Sequence, residues 1–251
     1  MLTVVKIGGA AIQGGADPAV VDIAALHEKQ LLVVHGGGAE ITHWSSRLGV
    51  ETKFVGGRRV TDPDTADVAE MVLTGRVGRA LAQAFADRGL PAVSLCGKDA
   101  GFFAAEPLDP ALGQVGRVGA VNPAVLEALW AGGILPLVAP IAPGPGGLTF
   151  NINGDDAAAD LAVALGATAL ILASDVPGVL VDGRALERCT PAETEALIAS
   201  GVIRGGMVPK VQACLRALAG GVQHATIVDG SMPGAVAGAI AGAGHGTRFV
   251  A

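Results

Sequence analysis

The chain has few cysteines, few charged residues and no basic run, and each scarcity excludes a class of protein. Its three cysteines are odd in number and far apart, with no C-x-x-C pair, which supports neither a disulfide framework nor a zinc knuckle. The net charge of the 251 residues is −6, and no run of Lys or Arg offers the basic patch typical of nucleic-acid binding. We therefore expect reduced thiols and no nucleic-acid partner.

Long apolar runs are also missing. Residues 134–139 form an apolar segment of strand length, bounded by Gly and Pro, which is too short to span a bilayer. The chain opens directly on an apolar strand, without the charged and apolar regions of a signal peptide. These features predict a cytoplasmic protein without a membrane partner.

Several familiar catalytic motifs do not occur. The chain contains no G-x-x-x-x-G-K-[ST], no G-x-G-x-x-G after a strand and no H-E-x-x-H. His-Gly-Gly-Gly at residues 35–38 is typical of an esterase oxyanion loop, but none of the six serines lies in a G-x-S-x-G elbow. A nucleotide, if one binds here, therefore binds through another motif. His35 is interpreted as a structural residue.

What the chain does contain is an alternation of strands and helices with glycines between them. Residues 2–7 and 31–34 are apolar strands, each followed by a glycine turn and then a helix, at residues 17–29 and up to Leu48. This pattern is typical of a parallel sheet with crossover helices. We predict an α/β fold, a three-layer α/β/α sandwich with a mainly parallel central sheet, formed by one domain with lobes 1–150 and 151–251.

The remaining elements follow from the same signals. A hairpin is predicted at 52–60, hairpins at 101–121, a hairpin tip rather than a linker at 142–147, and a loop at 174–183. Further strands are predicted at 92–96, 134–139, 148–152, 168–173, 225–228 and 246–250. One further helix is predicted at 61–75 and a second one follows it up to residue 88. Others are predicted at 123–130, 155–165, 191–200, 207–219 and 233–241.

Two lysines carry the first chemical signal. Lys6 is next to last in an apolar strand and precedes Gly8 and Gly9, while Lys210 opens a helix after Gly205 and Gly206. A lysine in an apolar strand, or opposed to a helix dipole, is costly unless it meets an anion or its ammonium reaches water. Backbone N–H groups of the nearby glycines could bind the same anion, so we predict a phosphoryl group held from both sides.

Polar residues elsewhere could complete such a site. Asn151, Asn153 and Asp155 share one face of an extended segment, although Asn153 or Asp155 could simply cap the next helix. An aspartate between the two lysines would orient both ammonium groups. Arg59 could hold a carboxylate with two hydrogen bonds, or could belong to a solvated hairpin. Residues 174–180 could line an adenine and ribose pocket, or could be an ordinary loop.

In this order, the segments resemble the amino acid kinase family and, within it, the acetylglutamate kinases. The matching segments are residues 5–9 (VKIGG), 34–38 (VHGGG), 59–61 (RVT), 97–99 (GKD), 151–155 (NINGD), 174–180 (SDVPGVL), 205–210 (GGMVPK) and 246–248 (GTR). The resemblance implies phosphoryl transfer from MgATP to the side-chain carboxylate of N-acetyl-L-glutamate in arginine biosynthesis. Such transfer needs positioning and electrostatics rather than a strong base.

The resemblance also implies residue roles. Lys6, Lys210 and Asp155 would be catalytic, and Gly8, Gly9, Gly36 and Gly37 would bind phosphate. The acceptor would contact Gly37, Gly38, Arg59, Asn151 and Asn153. ATP would contact Ser174, Asp175, Val176, Gly178, Val179, Leu180, Gly205, Gly206 and Met207. No protein carboxylate is identified as a metal ligand, and Mg²⁺ would come with the nucleotide.

Two departures keep alternatives open. Gly154 and Asp156 stand where the family pattern favours alanine and often threonine, and a Gly-Asp pair there is similar to the kinase that phosphorylates carrier-linked aminoadipate. A sensor that kept the fold without the chemistry is a further alternative, although every charged residue proposed for catalysis is present. In the family that the chain resembles, a helix before the first strand accompanies arginine-inhibited hexamers. No such helix precedes the first strand here, so the resemblance implies a homodimer with weak or no inhibition by arginine.

Overall fold

The computed structural model of the protein describes residues 1–8, 17–26 and 30–250. The strands of this part are β1 (Thr3–Ile7), β2 (Leu31–His35), β3 (Phe54–Val55), β4 (Arg58–Arg59), β5 (Ala92–Leu95), β6 (Phe103–Pro107), β7 (Val115–Val121), β8 (Leu135–Val138), β9 (Ile141–Pro143), β10 (Thr149–Ile152), β11 (Ala169–Ser174), β12 (Leu180–Val181), β13 (Arg184–Ala185), β14 (Arg188–Cys189), β15 (His224–Asp229) and β16 (Thr247–Phe249). The α-helices are α1 (Pro18–Ala24), α2 (Gly38–Leu48), α3 (Pro63–Glu70), α4 (Gly78–Ala86), α5 (Ala124–Ala131), α6 (Gly154–Ala164), α7 (Pro191–Ala199), α8 (Met207–Ala219) and α9 (Ala235–Ala241).

An eight-stranded sheet organises the molecule, with the spatial order β14-β16-β15-β11-β1-β2-β8-β5. The six strands from β15 to β5 are parallel to one another, and β16 is antiparallel to β15. Side chains alternate between the two faces, so Val4 packs in one buried cluster with α6 and α8 while Val5 packs in the other with α1 and α9. The predicted three-layer α/β/α sandwich is confirmed.

The order of the sheet brings distant parts of the chain to one edge. Strand β1 lies between β2 and β11, with Lys6 opposite Val34 on one side and Leu172 on the other. Parallel strands end on the same side, so Lys6, His35 and Ser174 are at neighbouring strand ends. This edge is where an open α/β sheet binds ligands.

A second sheet and a small hairpin lie next to this edge. The second sheet has the order β6-β7-β10-β9 and accounts for the hairpins predicted at 101–121. The hairpin predicted around 142–147 is the β9–β10 hairpin, with Ala142 and Pro143 in β9 and the tip after them. The β3–β4 hairpin turns at Gly56 and Gly57, whose φ angles are 56° and 79°, as a two-residue hairpin turn requires.

The structure differs from the sequence predictions at some boundaries. Helix α1 ends at Ala24, short of the predicted residue 29, and residues 27–29 lie outside the described part. Helices α3 and α4 are joined by a π-helix (Met71–Val77) where the sequence suggested a break near Gly75. The hairpin β12–β13 and strand β14 were not predicted, because two-residue strands are too short to show a period. No described helix has the length and apolar character needed to cross a membrane.

Candidate active site

Two cavities lie side by side at the carboxyl edge of the central sheet. The first cavity has a volume of about 230 Å³, which suits a small metabolite. Its lining includes Lys6, Gly36, Gly37, Gly38, Arg58, Arg59, Asn151, Asn153 and Asp155. The second cavity has a volume of about 310 Å³ and is lined by Lys6, Gly8, Asp17, Ser174, Asp175, Lys210, Gly230 and Ser231 among others. Lys6 therefore lines both cavities.

Asp155 joins the two lysines where the cavities meet. Its carboxylate lies 2.8 Å from Lys6 Nζ and accepts a hydrogen bond of 2.9 Å from Lys210 Nζ. Burial by itself raises the pKa of Asp155, but the two ammonium groups outweigh that effect, and the pKa falls from 3.8 to about 2. Asp155 is therefore ionised throughout the physiological range and orients one lysine from β1 and one from α8.

The start of α6 places this aspartate. Asn153 is the N-cap of the helix, and its side-chain oxygen accepts hydrogen bonds of 2.9 Å from Asp155 N and 3.2 Å from Asp156 N. The capping role considered for Asn153 is therefore present, and the same residue also lines the first cavity. The positive end of the helix dipole faces the carboxylate that holds the lysines.

Arg59 is buried in the wall of the first cavity and is held in one orientation. Its Nη2 donates to Gly38 O at 2.8 Å and to Thr42 Oγ1 at 2.9 Å, and its guanidinium lies 4.8 Å from the ring centre of Phe54. Burial lowers the pKa of Arg59. A guanidinium fixed by these contacts is preorganised to bind a carboxylate in the cavity.

The glycines after β2 have packing roles as well as a place at the cavity. A Cβ at Gly37 would lie 2.5 Å from Leu73 Cδ2, so a larger residue there would push the buried Leu73 side chain aside. The N–H of Gly36 already donates to Ile7 O at 3.0 Å.

His35 is fully buried, which lowers its pKa to about 4 despite a contact of its Nδ1 with Gly36 O. It is neutral and does not line either cavity, in agreement with a structural role.

The residues predicted to bind ATP are divided by the structure. Ser174 and Asp175 line the second cavity. Val179 is buried and its N–H donates to Thr247 Oγ1 at 2.9 Å, and Gly178, with φ of 134°, leaves no room for a Cβ beside the same hydroxyl. The others that line neither cavity are Val176, Leu180, Gly205, Gly206 and Met207. Gly9, predicted to bind phosphate, lies outside the described residues.

The sequence profile of the amino acid kinase family matches residues 1–229 of this chain. The chain belongs to the amino acid kinase family. A curated acetylglutamate kinase of Rubrobacter xylanophilus is 49% identical over 237 residues, covering 93% of this chain and 91% of its own length. That of a Jannaschia species is 43% identical over 240 residues, with coverages of 94% and 84%.

A solved structure agrees with this membership. The crystal structure of a Streptococcus mutans protein superposes on the chain with a TM-score of 0.87 and 31% identity, covering 99% of this chain and 98% of the other. The family identified from the ordered motifs is thus confirmed. Its fold is the three-layer sandwich described above.

Some residues of the site were not predicted. Gly230 and Ser231 line the second cavity directly after β15, where their position at a strand end was a usable signal. Asp22 of α1 accepts N–H bonds from Gly234, Val236 and Ala237 at the start of α9, and thereby fixes two helices beside the second cavity. No sequence signal pointed to Asp22, because its partners are more than 200 residues away.

Within residues 1–8, 17–26 and 30–250, no group of three or more His, Cys, Asp or Glu side chains is arranged to hold a metal ion.

Proposed function

We propose that the protein is an acetylglutamate kinase. It transfers the γ-phosphoryl group of MgATP to the side-chain carboxylate of N-acetyl-L-glutamate and forms N-acetyl-L-glutamyl 5-phosphate in arginine biosynthesis. The observation that carries the proposal is the position of the Lys6–Asp155–Lys210 cluster between two cavities, one the size of a small metabolite. The acetylglutamate kinases at 49% and 43% identity support the choice of acceptor.

The reaction is an in-line displacement at phosphorus. A carboxylate oxygen of the acceptor forms a bond to the γ-phosphorus as the bond from that phosphorus to the β,γ-bridging oxygen breaks, and ADP leaves. The acceptor is already ionised, so no general base is needed. Lys6 and Lys210 stabilise the charge that spreads over the transferring group, and Asp155 keeps both ammonium groups in place.

The first cavity is the acceptor site in this proposal. Arg59 binds the α-carboxylate, and Asn151 and the backbone of Gly37 and Gly38 contact the acetylated amide and the side chain. Asn153 acts mainly through the cap that positions Asp155. Most donors in this cavity are held by other residues before the acceptor arrives, which reduces the entropy lost on binding.

The second cavity is the phosphate end of the nucleotide site. Gly8, Ser174, Asp175 and Lys210 would surround the ATP phosphates, and Mg²⁺ would enter as part of MgATP. Gly230 and Ser231 extend this wall. The other residues predicted to bind ATP remain candidates for the adenine and ribose site.

We also propose a cytoplasmic homodimer. An apolar patch of α2, α3 and the π-helix consists of Trp44, Leu48, Val68, Met71 and Val72, and Leu48 and Met71 are more than half exposed. A second copy of the chain would cover this patch. Light scattering should give twice the monomer mass for the wild type, and Met71→Glu should shift the protein toward monomer. A monomeric wild type would contradict the dimer.

One observation favours a second candidate, a kinase for carrier-linked aminoadipate. Gly154 and Asp156 resemble the pattern of that enzyme at the start of α6. A Cβ at Gly154 would lie at an ordinary contact distance of 3.4 Å from Lys6 Cε, so alanine would fit and the glycine is not required by packing. The choice of acceptor therefore needs a direct test.

The test is a substrate panel with ADP release as the readout. The acceptors are N-acetyl-L-glutamate, glutamate, aspartate, and aminoadipate free or bound to its carrier. Turnover above background with acetylglutamate is expected, and it should be lost in Lys210→Ala but not in Lys98→Ala, whose ammonium pairs with Glu70 away from both cavities. Turnover only with the carrier-bound acceptor would identify the second candidate. Ligand-induced thermal shifts without ADP release would identify a sensor.

A further inference from the structure

A second buried carboxylate follows Asp155 directly on α6. Asp156 is only 5% exposed and binds two arginines from different elements. Arg58 Nη2 of β4 donates to its Oδ2 at 2.8 Å, and Arg216 Nη2 of α8 donates to its Oδ1 at 2.5 Å. Adjacent aspartates of one helix turn therefore hold four cations, two lysines through Asp155 and two arginines through Asp156.

Arg58 connects this carboxylate to the hairpin that walls the first cavity. Strands β3 and β4 have two residues each and, within the described part of the chain, pair only with one another. Phe54 and Val55 are more than half exposed. An isolated two-stranded hairpin is marginally stable at best, so its position depends on side-chain anchors. Arg59 anchors the hairpin to α2, and Arg58 anchors it to α6.

Arg216 connects the same carboxylate to the helix that carries Lys210. The two residues are six positions apart on α8, which places them about 9 Å apart along the helix axis. Helix α8 is thus tied to the start of α6 at two levels, through Lys210 to Asp155 and through Arg216 to Asp156. A shift of α8 that breaks one tie strains the other.

We propose that Asp156 is a positioning residue that couples the acceptor hairpin to helix α8. The inference rests on the proposed function, since it assigns the first cavity to the acceptor and Lys210 to the transferring phosphoryl group. Through Arg58 the carboxylate holds the hairpin against the acceptor cavity. Through Arg216 it holds α8 so that Lys210 stays in register with Asp155. Asp156 touches neither substrate in this scheme, because its oxygens are taken by the two arginines.

The coupling predicts separate kinetic effects for its three members. Arg58→Leu should raise KM for the acceptor, and Arg216→Leu should lower kcat. Asp156→Asn should do both, each by about tenfold, the lower end expected for loss of a hydrogen bond between charged groups that are partly exposed. KM for ATP should change less than twofold in Arg58→Leu. The double variant Arg58→Leu/Asp156→Asn should have the same acceptor KM as Arg58→Leu alone, because the ion pair between the two residues is already broken in the single variant.

Controls separate a positioning role from a merely structural ion pair. Arg117→Leu removes an ion pair of the same length, 2.8 Å to Glu106, at an exposed position, and should leave kcat and both KM values unchanged. Asp156→Asn with a lower Tm but unchanged kcat and KM would overturn the proposal. Additive increases of acceptor KM in the double variant Arg58→Leu/Asp156→Asn would also overturn it. If Asp156→Asn does not fold, Arg58→Leu and Arg216→Leu carry the test, and a wild-type acceptor KM in the first variant or a wild-type kcat in the second overturns the proposal.

An activity-independent measurement distinguishes failure of the coupling from failure of the proposed function. Wild-type protein that releases no ADP with acetylglutamate contradicts the proposed function. Hydrogen exchange then still tests the bridge, since Asp156→Asn should speed amide exchange both in residues 52–60 and in α8, whereas Arg117→Leu should change neither. Unchanged exchange in either segment of Asp156→Asn would show that the carboxylate does not couple them.

Discussion

Replacing Asp155 by asparagine is the most direct test of the lysine cluster. The amide has nearly the size of the carboxylate, so the change removes the charge and leaves the packing of α6 almost intact. Lys6 Nζ and Lys210 Nζ then lose the anion that lies 2.8 and 2.9 Å away, and both side chains are largely buried. Asp155→Asn therefore leaves two neighbouring cations without their common partner.

The magnitude follows from burial and from the number of partners. Removing one member of a buried ion pair costs about 3–5 kcal/mol, and we take about 3 kcal/mol because the lysines border cavities. For a chain of this length the loss corresponds to about 6–12 °C in Tm. Displaced lysines no longer stabilise the transferring group, so kcat should fall by about 10²–10³-fold, with a smaller change in KM.

Two assays measure these effects. Coupled ADP release gives kcat and KM, and calorimetry gives Tm for the wild type, Asp155→Asn and the control Glu106→Gln, which changes a carboxylate in an exposed ion pair. The dependence of stability on pH is a second test. Because the pKa of Asp155 is lowered from 3.8 to about 2, its contribution to stability is complete above pH 3.8 and is lost as the pH falls towards 2.

The difference in Tm between wild type and Asp155→Asn should therefore shrink over that acid range. A variant with wild-type kcat would refute the assigned role of Asp155. A difference in Tm that does not depend on pH would refute the electrostatic explanation.

Further predictions concern the lysine of α8, the acceptor arginine, the glycine turn and the buried histidine. Lys210→Ala should lower kcat by at least about 10²-fold while KM for the acceptor changes little, and an unchanged kcat in steady-state kinetics would contradict its role. Arg59→Lys should weaken acceptor binding about tenfold, because lysine cannot keep the contacts with Gly38 O and Thr42 Oγ1 that fix the guanidinium; titration calorimetry measures the dissociation constant, and unaltered affinity would place the α-carboxylate elsewhere. Gly37→Ala should cost about 1–3 kcal/mol in urea unfolding, since its Cβ would overlap the buried Leu73 side chain, and a neutral result would mean that Leu73 moves aside without cost. The lowered pKa of His35, about 4, predicts that wild-type stability falls as the pH drops from 6.5 to 4, by on the order of 3 kcal/mol, and a His35→Gln variant that keeps this slope in urea titrations would exclude His35 as its source.

The local part of the fold could be predicted from the sequence because its signals lie within a few residues. Apolar runs followed by glycines identified β1 and β2. The hairpin of residues 52–60 and the tip at 142–147 followed from turn residues. The ordered motifs also identified the family, because each motif constrains one short segment.

Elements and roles that depend on packing could not be predicted in this way. The π-helix between α3 and α4 has no distinct sequence period, and β12 to β14 are too short to show one. The sequence predicted a nucleotide contact for Gly178 and Val179, and that stays a prediction; their packing against Thr247 could not be read from the sequence. A glycine required by close packing and a glycine required by a ligand look alike in a sequence.

The sequence by itself determined that two lysines lie beside glycines at element ends, and that an aspartate near them could orient both. Only the tertiary structure decided which carboxylate holds which cations. Asp155 reaches Lys210 across 55 positions, while Asp156 reaches Arg58 across 98 and Arg216 across 60. These pairings depend on β11 lying next to β1 and on α6 packing against α8, and that arrangement is set by burial of apolar surface over the whole chain rather than by any local pattern.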